Sequence, residues 1–185
     1  QPIHRDHALD ESVAEDISSW QQCPPMIIDE SDGEIDSLRS ALKLGYRGTS
    51  HKNCKGVFKG IANACLLEHL RRDDDGPWIL SGEDLANVGP VALLNDLAVM
   101  AALGVGHVER NGHHYFSGLS MYPQKLQDAV CAAHPDLYAP SEQGFATLGI
   151  TGGKLAAASI VAAPFGCGLE LSDEILDLLG EGGLP

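Results

Sequence analysis

Cationic and aromatic side chains are scarce. Only 12 Lys and Arg stand against 26 Asp and Glu, a formal charge of -14, and Phe, Trp and Tyr make up 5% of the 185 residues. So acidic a chain repels phosphate backbones and anionic lipid headgroups, which argues against a nucleic-acid or membrane-surface binder. Long apolar runs are missing as well. Val88 to Val105 is interrupted by Asn95-Asp96, and Leu155 to Leu169 by Pro164 with nearby glycines, so neither reads as a transmembrane span. With few aromatic rings, the interior must be built from Leu, Ala, Val and Ile. The 44% hydrophobic content over this length suits an ordinary globular domain rather than a disordered tail.

The five cysteines (Cys23, Cys54, Cys65, Cys131, Cys167) are odd in number, scattered and without a CxxC pair. That usage fits reduced thiols in a cytoplasmic protein better than a disulfide framework. Gln1 to Asp10 is polar and has no apolar stretch of a secretory signal, and no Asn-x-Ser/Thr sequon occurs. The chain begins Gln1-Pro2 instead of Met, so upstream polypeptide is expected. Phosphate-loop and dinucleotide fingerprints are absent: Gly104-Val105-Gly106 meets Glu109 where a third glycine belongs, and Gly153-Lys154 has Leu148 and Leu155 in place of the required Gly and Ser/Thr. No Gly-x-Ser-x-Gly elbow appears.

What is present is an alternation. His7 to Trp20 has the apolar spacing of an amphipathic helix, stopped by Pro24-Pro25, and Met26-Ile27-Ile28 reads as a buried strand ending in the acidic turn Asp29-Glu30-Ser31-Asp32-Gly33. Ile35 to Leu44 is expected to be a short helix, Tyr46 to Ser50 a second strand, and Gly56 to Leu70 a long helix with Val57, Ile61, Cys65 and Leu66 on its apolar stripe. Trp78 to Ser81 and His107 to Glu109 read as further strands around a helix over Pro90 to Leu103. Strand and helix alternating in this way signal parallel βαβ units. Tyr115 to Gly144 reads as irregular apart from a helix over Tyr122 to His134. Phe145 onwards reads as an irregular surface tail. Four strands each ending in polar residues point to part of a (β/α) barrel or an open parallel sheet, whose chemistry sits at the strand C-termini.

The residues at those ends carry the candidate chemistry. Asp29 and Glu30 offer hard oxygen ligands for Mg²⁺, although strand alternation sends only one of the two inward, and a dipole-favoured acidic turn accounts for them equally well. His51 and Lys52 end the second strand, where a desolvated lysine can act as a general base; a solvated basic loop is the plainer reading. Lys43, Arg47, Lys52, Lys55 and Lys59 form a basic cluster suited to an anionic substrate. Glu83 or Asp84 caps a helix or faces a site, and Glu109 points inward or pairs with Arg110. His51, Cys54, Cys65 and His69 form a zinc candidate set without a supporting CxxC pair, and Cys65, on the apolar stripe, reads more simply as a core thiol. His113-His114 beside Tyr115 is a weaker metal cue than an ordinary surface loop.

The order of the strand endings resembles the C-terminal part of an enolase-superfamily protein of the mandelate racemase and muconate lactonizing type. Gln1-Pro2, then Asp29-Glu30-Ser31, Lys52-Asn53-Cys54-Lys55-Gly56, Ser81-Gly82-Glu83, Glu109 and Gly166-Cys167-Gly168-Leu169-Glu170 follow one another as in that family. The resemblance implies a modified (β/α) TIM-type barrel, of which residues 1–144 would supply about strands five to eight and 145–185 a tail wrapping it. It implies Mg²⁺ held by Asp29 and Glu30, and removal of the α-proton of a small carboxylate substrate by Lys52 or His51 with Glu109 assisting. Glu83, Asn53 and Lys55 would lie at the substrate. In chemistry of this kind a Lys or His base works beside metal ions that stabilise the enediolate. The other metal ligands, second-strand lysines and capping domain of the family would lie upstream, so the missing N-terminal half or a second copy of the chain is the expected partner. Two alternatives remain: a non-catalytic half-barrel acting as a structural or partner-binding module, and a zinc-binding interaction module.

Overall fold

The computed structural model describes residues 3–83, 87–110 and 116–181. Gln1-Pro2, Asp84 and the His113-His114-Tyr115 cue lie outside the described residues. The chain divides into two units, Gln1–Glu83 with Val105–Val108, and Asp84–Gly104 with Glu109–Pro185.

In the first unit the expected opening helix is shorter than its apolar spacing suggested. Helix α1 covers Ser12–Ser19, and the residues before it form turns in which the Asp10 N–H donates to the His7 carbonyl at 3.1 Å. Met26 to Ile28 runs strand-like beside β1 (Gly48–His51): Arg47 N donates to Met26 O at 2.7 Å, Ile28 N to Gly48 O at 3.1 Å and Ser50 N to Ile28 O at 3.0 Å, a parallel pairing. Helix α2 (Ser37–Lys43) connects the two. Strand β2 (Ile79–Glu83) pairs parallel with β1 from Gly48 opposite Ile79 to His51 opposite Gly82, and β3 (Val108–Glu109) completes the order β1-β2-β3. The class is therefore α/β with a parallel sheet. Every residue of β1 is buried, as befits a parallel strand covered on both faces. Beneath the sheet's first edge, Val13, Ile28, Ala41 and Tyr46 form a core with Ile17, Met26 and Leu44 packed against it.

Helix α3 (Val57–Asp73) overturns the expected stripe. Its buried residues are Lys59, Gly60, Asn63 and Leu67, while Phe58, Ile61 and Cys65 are exposed. Cys65 is thus a surface thiol, not a core one. The physical reason is that the inward face must meet a buried carboxylate, Asp32, and the His51 ring, so ammonium, carboxamide and a glycine occupy positions that apolar periodicity would give to hydrophobic side chains. At Gly60 even a methyl group does not fit: a Cβ would stand 2.3 Å from His51 Nδ1.

The second unit holds α4 (Pro90–Ala102), α5 (Gln124–Ala133), α6 (Ala158–Ala162) and α7 (Asp173–Glu181). Its core draws on Leu93, Leu94, Leu97 and Met100 of α4, Leu126 and Val130 of α5, and Ile160 of α6. The segment expected to be irregular contains an antiparallel hairpin, β4 (Tyr138–Pro140) with β5 (Ala146–Leu148), pinned to α5 where Gln127 Oε1 accepts the Ala146 N–H at 2.8 Å. The 3-10 turn Pro164–Gly166 packs on α4 so closely that a Cβ on Gly166 would lie 2.4 Å from the Leu94 carbonyl oxygen. Among the described residues, no helix is long and apolar enough to cross a membrane.

Candidate functional site

Strand polarity decides where the polar strand endings meet. Because Met26 to Ile28, β1 and β2 run parallel, Asp29, Lys52 and Glu83 emerge at the same end of the sheet. Lys52, whose side chain is 5% exposed, bridges them: Nζ is 3.2 Å from Asp29 Oδ2 and 2.8 Å from Glu83 Oε2. Lys55, ending the 3-10 turn Asn53–Lys55, donates to Asp29 Oδ1 at 2.7 Å, to the Asp29 carbonyl at 2.7 Å and to the Ser50 carbonyl at 3.2 Å. All three ammonium protons of Lys55 are thereby engaged. Lys52 uses two of its three, and the third has no partner among the described residues.

Alternation along β1 separates the two adjacent candidates. Lys52 goes to the carboxylates, whereas His51 packs against Gly60 of α3 and donates its Nε2–H to Asn53 Oδ1 at 3.0 Å. The turn that follows Ile28 separates Asp29, drawn into the cluster, from Glu30, which is exposed. Glu109 ends β3 exposed, next to Arg110, whose Nε donates to the Glu109 carbonyl at 3.1 Å. It belongs to the second unit, so the cluster consists of Asp29, Lys52, Lys55 and Glu83.

The charges in this cluster balance, two ammoniums against two carboxylates. Burial would raise the Asp29 carboxyl, but the hydrogen bonds and charges of Lys55 and Lys52 outweigh it and hold Asp29 below its ordinary range. Burial would lower Lys52, yet Glu83 and Asp29 outweigh it and hold the ammonium above its ordinary value. Glu83 is raised, first by burial and then by the neighbouring Asp29 charge, with Lys52 opposing. Lys52 is therefore kept as a proton carrier, not as the free amine of a ready base.

Oxygen donors of this kind suit Mg²⁺ chemically. Each Asp29 oxygen is held by an ammonium, and among the described residues no group of three or more His, Cys, Asp or Glu side chains converges. The same holds for the zinc set: His51 is held at Asn53, Cys54 and Cys65 are exposed, and His69 lies 3.6 Å from Asp73 on the outside of α3.

Just behind the cluster lies a second polar group: Asp32 and Lys59, which the sequence offered only as part of an acidic turn and of a basic cluster, with Thr49 and Asn63, which sequence reasoning passed over. Asp32 is 2% exposed and its Oδ2 accepts from Thr49 Oγ1 at 2.8 Å and Asn63 Nδ2 at 3.1 Å, while Lys59 Nζ stands 3.1 Å from Oδ1. The available signal was the spacing of Lys55, Lys59 and Asn63, each four residues from the next. Comparison of the chain with protein-family models, with curated proteins and with solved structures yields no match in any of the three.

Proposed function

We propose that this chain supplies about strands five to eight of an enolase-type (β/α) barrel and that its strand-end cluster moves the proton beside the carboxylate of a small substrate. The observation that carries this reading is the position of Lys52, an ammonium buried between Asp29 and Glu83 where adjacent parallel strands end. Its third N–H is the group available to a substrate oxygen or carbanionic carbon. At rest Asp29 and Glu83 keep the proton on Nζ; in turnover Lys52 passes it to Glu83, whose carboxyl is raised and lies 2.8 Å away, the freed amine takes the substrate's α-proton, and the reverse transfers return a proton to the carbon while Lys55 holds Asp29 in place. His51 and Asn53 brace the strand end behind Lys52, and Glu30 stands as an outer acidic group. Mg²⁺ enters this proposal only with the complementary N-terminal half or a second copy of the chain, which would have to bring further oxygen ligands to Asp29.

The test is deuterium uptake from D₂O at the α-carbon of a panel of 2-hydroxy and N-acyl-2-amino carboxylates, followed by proton NMR with the full-length protein, with and without Mg²⁺. Exchange is expected, and Lys52→Ala should slow it by about 10² to 10⁴, the usual contribution of a positioned acid or base. Exchange that survives Lys52→Ala unchanged, or no exchange with any member of the panel, refutes the reading. In the second case a non-catalytic half-barrel takes its place, a reading favoured by the internal charge balance of the cluster.

A further inference from the structure

The turn that carries Asp29 is held from two points. Lys55 and Lys59 are four residues apart; each donates to the carbonyl of one turn residue, and Lys55 also hydrogen-bonds that residue's carboxylate where Lys59 makes an ion-pair contact, Asp32 Oδ1 having no hydrogen-bond partner. Lys55 Nζ meets Asp29 O and Asp29 Oδ1, both at 2.7 Å. Lys59 Nζ donates to the Asp32 carbonyl and stands 3.1 Å from Asp32 Oδ1. The turn itself closes where the Asp32 N–H donates to the Asp29 carbonyl at 2.8 Å. Thr49 of β1 and Asn63 of α3 then fix the other oxygen of Asp32.

From this repeated pattern the geometry points to Lys55 and Lys59 as a two-point clamp, positioning residues that set the Asp29 carboxylate against Lys52. The inference rests on reading the cluster as a proton-transfer site. Lys59 is 8% exposed and Asp32 2%, and a buried ion pair is commonly no more stabilising than a well-packed apolar pair, so stability alone is a weak account of it. Position is the better account. Asp29 follows the sheet's outer strand-like segment, and both its carboxylate oxygens and its carbonyl lie in the grip of lysines that come from beyond β1 or from its end. A displacement of about 1 Å at such a site can cost on the order of a hundredfold in rate. Neither Lys55, with its three protons engaged, nor Lys59, behind the turn, is left to touch a substrate.

The test uses the full chain labelled with ¹⁵N-lysine, in wild type, Lys59→Arg, Lys59→Met and the Asp32→Asn/Lys59→Met double variant. The double variant removes both buried charges together, so that it folds even where Lys59→Met alone leaves Asp32 unpaired and unfolds. The Lys52 ammonium signal, expected in wild type because burial and its ion pairs slow exchange with water, should be lost in the double variant and kept in Lys59→Arg. Hydrogen-exchange protection of the Asp32 amide should fall at least tenfold while the amides of α4 are unchanged. α-Proton exchange, where the wild type shows it, should drop in kcat with KM unaltered. A folded double variant that keeps the Lys52 signal and the Asp32 protection overturns the clamp. Loss of both signals in a protein that never exchanges an α-proton leaves the clamp standing and removes only the chemistry assigned to it.

Discussion

Gly60→Ala is the sharpest probe of how α3 meets the sheet, because local propensity and packing demand opposite signs. Gly60 is a helix-interior residue with an ordinary helical backbone, so replacing it by Ala should stabilise by about 0.8–1.0 kcal/mol on propensity alone. The added Cβ would lie 2.3 Å from His51 Nδ1 and 2.4 Å from Cε1, more than 1 Å inside ordinary contact, with both residues buried. Forcing an atom into a packed interior costs about 1–3 kcal/mol. Displacing the ring also breaks its hydrogen bond to Asn53, worth about 1 kcal/mol. The net expectation is destabilisation by about 1–3 kcal/mol, or roughly 2–4 °C in Tm for each kcal/mol in a chain of this size. Urea denaturation reads it directly, since the midpoint should fall with the slope unchanged. Two companions isolate the cause: Gly180→Ala, whose Cβ would meet nothing, should be neutral or stabilising by up to about 1 kcal/mol, and His51→Ala in the Gly60→Ala background should restore part of the loss. A stabilised Gly60→Ala protein would refute the close approach of α3 to β1, and with it the placement of His51 away from the strand-end cluster.

Other expectations concern groups further along the chain. His134 is fully buried, its Nδ1 lying 3.0 Å from Ser159 Oγ and its Nε2 accepting the Gly168 N–H at 2.9 Å, and burial pushes the ring below its ordinary value of 6.5 with Asp136 opposing. The unfolded chain therefore binds a proton that the folded one refuses, so the stability due to the neutral ring is full above about 6.5 and is lost as pH falls from there through the folded value. Urea midpoints compared between pH 7 and pH 5 should show a decline that His134→Gln abolishes; equal slopes for both proteins would contradict it. Thiol alkylation at neutral pH, mapped by peptide mass spectrometry, should modify exposed Cys54 and Cys65 first and Cys131 late, because burial and the Asp128 charge push the Cys131 thiol up. A Cys65 that resists the reagent in the folded protein would restore the apolar stripe on α3 and contradict the inward face described above.

The strand-end residues were legible because a parallel strand buried on both faces is a short apolar run, and its first polar residue marks the end at which chemistry gathers. Met26-Ile27-Ile28 followed by Asp29 follows that rule, whereas the strand before Lys52, Gly48-Thr49-Ser50-His51, is buried but polar and is marked only by its place in the strand–helix alternation. Which of His51 and Lys52 faces the carboxylates was not legible, since a one-residue change of register exchanges them; the pairing of His51 with Gly82 resolves it. The apolar stripe of α3 misled for a different reason. Period alone assumes that the partner face is hydrophobic, whereas Asp32 demands charge and hydrogen bonds from Lys59 and Asn63, and that demand reaches Lys59 from a residue 27 positions earlier in the chain. The hairpin of β4 and β5 escaped notice because strands of three residues carry too little alternation to register.

The inward lysines also change how the protein looks from a distance. Lys52, Lys55 and Lys59 are cancelled locally by Asp29, Glu83 and Asp32, so these members of the basic cluster apparent in the sequence contribute no outward positive lobe, and the remaining acidic excess dominates the far field. An anion approaching from solution meets repulsion before it meets any of these ammoniums. Its encounter rate should rise, rather than fall, as added salt shortens the Debye length, the reverse of a protein that gathers its ligands with a positive funnel.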